Sequence, residues 1–130
     1  MTEQTVGALM RKHGLTLTPD TPMRDAVTKL IEADASAAPV LDEQGALIGV
    51  ISQKDCFAAA LHSAYYQSWS GTVRQHMTTE VTTLNADTDL VTAAEMFRTM
   101  PYRAFPVLQN GQFHGMIDRA DLLRAFLAFG

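Results

Sequence analysis

The chain is written twice. A step of 67 positions from Thr5, Val6, Met10, Thr16, Leu17, Asp20, Thr21, Ala26, Ala37, Pro39, Val40 and Leu41 meets an identical residue each time, from Thr72 through Leu108. Beyond a one-residue deletion the step becomes 66, and Gly45, Gly49, Ile51, Asp55, Ala59 and Leu61 recur as Gly111, Gly115, Ile117, Asp121, Ala125 and Leu127. Ordered identities in two registers, separated by one deletion at a turn, mark a duplication rather than shared composition. Each copy holds about half of the 130 residues, too few to cover both faces of a sheet alone. The expectation is two repeats, residues 1–66 and 67–130, packed against each other with pseudo-twofold symmetry.

Each copy reads as strand, helix, hairpin, helix, which makes the fold class α/β in the broad sense (α+β). Met23, Ala26, Val27, Leu30 and Ile31 recur at helical spacing, with Asp20 or Thr21 placed to cap the helix and Pro22 acceptable in its first turn. In the second copy the face is Leu90, Ala93, Ala94 and Phe97, and Arg98 replaces Ile31, so that edge should be more exposed. Strands are expected at 38–41 and 47–52 around the turn 42–45, and at 105–108 and 113–117 around Asn110-Gly111, a strong hairpin signal. The closing helices should bury Cys56, Phe57, Ala60 and Leu61 in one copy and Leu122, Leu123, Phe126 and Leu127 in the other. Residues 62–71 read as a helix tail and linker pinned by Tyr65, Tyr66 and Trp69. Met10, Met23, Met77, Met96, Met100 and Met116 read as core filling.

Composition removes several function classes. Ten Lys and Arg against fourteen Asp and Glu, with no basic block, lack the footprint of a nucleic-acid binder. The uncharged apolar runs, such as 46–51 and 56–61, fall far short of a membrane span. Glu3 stands where a signal peptide would be basic, and Cys56 has no partner in the chain. We therefore expect a soluble, unexported, cytoplasmic protein. His13, His62, His76 and His114 are dispersed, so no metal site is expected. Cys56, beside Phe57 and Ala60, reads as a buried inert thiol.

Thr18-Pro19-Asp20, Ala38-Pro39-Val40-Leu41, Gly45 and the run Gly49 to Asp55, answered by Thr82 to Asp87, Phe105-Pro106-Val107-Leu108, Gly111 and Gly115 to Asp121, resemble a CBS domain in tandem, a Bateman module. No one of these motifs is specific; their ordered recurrence is. The resemblance spans nearly all of residues 5–128. It implies β-α-β-β-α units, clefts between paired domains, assembly into homodimers, and reversible binding of an adenine nucleotide or S-adenosyl ligand with no catalytic cofactor.

In that family a Ser/Thr-x-x-Asp motif opens the last helix, the aspartate receiving the ribose hydroxyls and the hydroxyl lying near phosphate. Ser52 and Asp55 match it. A carboxylate can accept both hydroxyls of a vicinal diol. The same spacing also makes Ser52 an N-cap and Asp55 an N3 acid stabilising the helix dipole, worth roughly 1 kcal/mol, and the two roles are compatible. In the second copy Asp121 keeps the ribose position while Asp118 replaces the hydroxyl. A second carboxylate repels phosphate, so that cleft is empty, takes an uncharged or cationic adenosyl ligand, or has a compensating base, for which Arg103 is the candidate. The resemblance assigns adenine contacts to the strand ends, with Thr18, Pro19, Ala38, Pro39, Val40, Phe105 and Pro106 among residues 16–19, 38–40, 83–86 and 105–107. No catalytic constellation is evident, so the chain is not expected to be an enzyme. Its expected work is that of an adenosyl-ligand sensor acting on an effector protein in trans, since the chain ends at Gly130 straight after the last helix. The alternative is a ligand-free dimerisation or scaffold protein.

Overall fold

Among the described residues, five helices, five strands and two short 3-10 turns alternate in a mixed α+β arrangement. The computed structural model describes residues 4–129; Glu3 and Gly130, cited above, lie outside the described residues. The elements divide into two compact units, one comprising Leu15–Val81 and the other formed by residues through Gly14 together with those from Thr82 onward. They are called here the first-hairpin and second-hairpin units. This partition differs from the repeat boundaries 1–66 and 67–130, because each repeat's leading segment packs with the other repeat's sheet.

In the first-hairpin unit, α2 (Met23–Glu32) is followed by β1 (Ala37–Leu41), β2 (Leu47–Ser52) and α3 (Phe57–Tyr66). β1 and β2 pair antiparallel, with Ala38 opposite Ile51 and a register shift after Val40. The expected strand before α2 shrinks to a single parallel bridge between Leu17 and Val40. On the other side of the hairpin Thr78 bridges Val50, each N–H donating to the other's carbonyl. α2 starts at Pro22 without a side-chain cap. Thr21 instead meets Thr18 through their hydroxyls at 2.9 Å, which corrects the expected cap. Leu17, Met23, Ala26, Leu30, Ala38, Val40, Ile51, Cys56, Ala59 and Val73 form its core.

The second-hairpin unit repeats this plan. It contains α1 (Val6–Leu9), β3 (Leu84–Asn85), α4 (Leu90–Thr99), β4 (Ala104–Gln109), β5 (Gln112–Asp118) and α5 (Arg119–Phe126). β3 is parallel to β4, and β4 antiparallel to β5. Asn110 and Gly111 both have positive φ, 54° and 77°, as a two-residue turn between right-twisted strands requires. Asp89 caps α4, accepting from the Thr92 N–H at 2.7 Å. Val6, Met10, Leu84, Leu90, Ala93, Phe105, Val107, Ile117 and Leu122 form this core.

Each unit takes in one leading segment. Val6 and Val73, identical in the repeat, are both fully buried, each among side chains of the opposite hairpin. Full burial of such a side chain is worth about 1.5 kcal/mol or more. Arg11 bridges Met116 as Thr78 bridges Val50. Both bridges need a glycine beside them, since a Cβ on Gly115 would lie 2.6 Å from the Arg11 carbonyl oxygen and one on Gly49 2.9 Å from that of Thr78.

The closing helices depart from expectation. Cys56 and Leu122 are buried, but Phe57, Leu61, Leu123 and Leu127 are exposed, as is Ile31 on α2. Each short helix buries only a narrow stripe, and Ala59 takes the inward position in α3. Of the linker aromatics only Trp69 packs on a core; Tyr65 and Tyr66 are exposed. Among the described residues, no helix is long and apolar enough to cross a membrane.

Candidate functional site

The two Ser/Asp-x-x-Asp motifs sit where the second hairpin strand of each unit runs into its closing helix. In the first-hairpin unit the Ser52 N–H donates to Asp55 Oδ2 at 2.9 Å, and the Asp55 N–H donates to Ser52 Oγ at 3.1 Å. This reciprocal box satisfies two donors that a helix start would otherwise leave open. It uses one carboxylate oxygen; Asp55 Oδ1 has no donor among the described residues. The Cys56 thiol follows, donating to the Ser52 carbonyl at 3.3 Å. Burial, and secondarily the Asp55 charge, push this thiol above its ordinary pKa, which suits an unreactive core position.

In the second-hairpin unit the same box is built from two acids. The Asp118 N–H donates to Asp121 Oδ2 at 3.1 Å and the Asp121 N–H to Asp118 Oδ1 at 2.9 Å. Asp121 is buried at 8% exposure. Arg11 reaches it from the leading segment, Nε and Nη2 donating to Oδ1 at 3.2 and 2.9 Å, and its Nη2 lies 3.4 Å from Asp118 Oδ2. Arg124 adds a 3.4 Å contact to the same Oδ1. Two carboxylates at one helix start repel each other, and two guanidinium groups offset them.

Arg103, the compensating base suggested by sequence, is exposed and forms no ion pair among the described residues; its carbonyl accepts the Arg119 N–H at 3.0 Å. The base that meets the acids is Arg11. Its only trace in the sequence is its place directly after Met10, where the other repeat has Thr78.

The strand-end residues divide by exposure. Thr18 is exposed, and Pro19 is buried with its carbonyl accepting the Arg74 N–H. Ala38, Pro39 and Val40 lie in the first-hairpin unit, and Phe105 and Pro106 in the second; all five side chains are buried. They can offer a ligand backbone rather than apolar surface. A cleft of about 740 Å³ in the second-hairpin unit is lined by Lys12, Asp87 and the 109–111 turn, and touches the nominated segments only at Asn85 and Ala86. A smaller apolar hollow of about 140 Å³ lies between α2 and α3, walled by Val27, Leu30, Ile31, Cys56, Phe57 and Ala60.

The CBS domain family matches residues 6–62 and 73–128. A 17.7 kDa protein of Acidianus ambivalens is 26% identical over 84% of this chain, and protein MJ1404 of Methanocaldococcus jannaschii 28% identical over 95%. The chain spans 65% and 29% of their respective lengths. Among solved structures, the CBS-pair protein CBSX2 of Arabidopsis thaliana superposes with a TM-score of 0.85 at 27% identity, covering 97% of this chain and 96% of its own. CBSX2 in complex with AMP gives 0.83 at 28% identity, with 95% and 96% covered.

Proposed function

We propose, from the premise that this chain belongs to the CBS domain family and carries two copies in tandem, that it is a regulatory module whose Ser52/Asp55 motif binds an adenosyl ligand reversibly. The AMP complex of CBSX2 makes AMP the first ligand to test, ahead of ADP, ATP and S-adenosylmethionine. The observation that carries the reading is the half-used carboxylate of Asp55. Its Oδ2 serves the capping box while Oδ1 is open, so the group can receive a ribose diol without dismantling the helix start. The Ser52 hydroxyl and nearby backbone N–H groups favour an adjacent phosphate. The role is binding rather than catalysis.

A ligand signal needs a receiver. Phe57, Leu61 and Tyr65 stand at i, i+4 and i+8 on α3, all exposed, with Ile31 exposed on α2. Apolar rows of this kind mark interaction surfaces. We assign this one to a second copy of the chain, with an effector protein in trans as the reader of the ligand state. The same surface favours a second reading, a dimerisation scaffold that binds no nucleotide.

Calorimetric titration of AMP into the wild type and Asp55→Ala separates the two. Charge-assisted hydrogen bonds are worth about 1.5–3 kcal/mol each, so the variant should lose at least about tenfold in affinity. A folded wild type that takes up none of the four ligands at millimolar concentration would leave the scaffold reading.

A further inference from the structure

The two motifs differ in one respect that the repeat conceals. A carboxylate offers about four lone-pair sites. At Asp121 four donors already converge: Arg11 Nε and Nη2 and Arg124 Nη1 on Oδ1, and the Asp118 N–H on Oδ2. At Asp55 one donor is present, the Ser52 N–H. A vicinal diol must donate two hydrogen bonds to such a group. Asp55 has room for both, whereas Asp121, with three donors on Oδ1 and one on Oδ2, has room for at most one.

We propose that Arg11 is a built-in occupant of the Asp118/Asp121 motif, holding the acceptor sites that a ribose would use, so that the chain takes one adenosyl ligand, at Asp55. This inference rests on the ligand reading above. The leading segment delivers Arg11 to its post. The Arg11 N–H donates to the Met116 carbonyl at 2.8 Å and the Met116 N–H returns a bond to the Arg11 carbonyl at 3.1 Å. Gly115 permits that approach. The backbone of Arg11 is therefore fixed while its side chain stays 55% exposed, so the guanidinium can leave Asp121 without undoing the bridge. The equivalent position in the first-hairpin unit is Thr78, which bridges Val50 identically and carries no cation. Replacing a threonine by an arginine at this one position turns an open acceptor into an occupied one, because guanidinium places two donors on a carboxylate in a fixed fork.

The test is stoichiometry by calorimetry of adenosine, which carries the ribose diol without a phosphate for Asp118 to repel, in four proteins: wild type, Asp55→Ala, Arg11→Gln and the double variant. The expected values are one, none, two and one ligand per chain. A wild type that binds two, an Arg11→Gln that still binds one, or a double variant that binds none overturns the occupancy. A folded wild type that takes up no adenosine leaves the occupant to be judged on Arg11→Gln alone, where a gain to one supports it and no gain overturns it; the ligand reading at Asp55 falls only if AMP, ADP, ATP and S-adenosylmethionine also fail to bind the wild type. If Arg11→Gln does not fold, the wild type answers by NMR. The Arg11 Nε–H signal should stay unmoved and slow to exchange while AMP fills the first equivalent, and a shift in step with that equivalent refutes the proposal.

Discussion

Replacing Gly115 with alanine should unseat the leading segment from the second-hairpin sheet. The new Cβ would lie 2.6 Å from the Arg11 carbonyl oxygen, 3.1 Å from its carbon and 3.3 Å from Met10 Cγ. Ordinary contact begins near 3.4 Å, so the Arg11 oxygen must retreat by about 0.8 Å. That oxygen accepts the Met116 N–H at 3.1 Å, and the reciprocal bond from the Arg11 N–H is 2.8 Å. Both stretch beyond bonding range together, since they belong to one bridge. Two backbone bonds at about 1 kcal/mol net each give about 2 kcal/mol, and crowding of the Met10 packing brings the total to roughly 2–4 kcal/mol. For a chain of this length each 1 kcal/mol moves Tm by about 4 °C, so a fall of about 8–15 °C is expected. Urea unfolding with an unchanged m-value is the assay. Gly14 is the control, with no neighbour near its Cβ position, and Gly14→Ala should be neutral or stabilising by up to about 1 kcal/mol. Gly49→Ala should fall between them, because its nearest contact is the movable Met77 sulfur at 2.8 Å and the Thr78 oxygen lies at 2.9 Å. If Gly115→Ala unfolds within about 0.5 kcal/mol of wild type, the bridge does not hold the leader and the reasoning fails.

Two further predictions concern single sites. Asp89 has its pKa lowered mainly by the Thr92 backbone N–H and then by the Thr92 side chain. A depressed carboxylate stabilises the fold above its ordinary value of 3.8 and loses that contribution as pH falls through the folded-state pKa. Asp89→Asn should therefore show a shallower decline in Tm below about pH 4 than wild type; superimposable acid limbs would contradict this. Ala60→Phe should fill the hollow of about 140 Å³ between α2 and α3, where the repeat counterpart Phe126 packs against its own core. Cavity filling of this kind yields about 0.5–2 kcal/mol, and a lower Tm in thermal melts would show that the hollow cannot accept the ring.

The duplication, both hairpins and the box-forming residues at the start of each closing helix were legible because each follows from rules that act over a few residues. The 42–45 and Asn110-Gly111 turns follow from backbone preferences, the strands from short apolar runs, and the capping residues from a spacing of three, while the return bonds from the Ser52 and Asp118 N–H groups to the aspartates came from the structure. CBS family membership follows from the order of those signals. Helix periodicity located α2 and α4, yet it could not say which apolar residues face inward; Phe57, Leu61, Leu123 and Leu127 are exposed because a helix of only eight to ten residues lying on a small sheet covers only one row. What tertiary structure alone decided is the exchange of leading segments and its consequence. Arg11 and Asp121 are 110 residues apart, and no local propensity connects them. Their meeting depends on a backbone bridge to Met116 that closes over a glycine, so the electrostatics of the second motif are written in long-range register. The substitution of Asp118 for the Ser52 hydroxyl was visible in the sequence; that the two acids are met by a side chain from the far end of the chain was not.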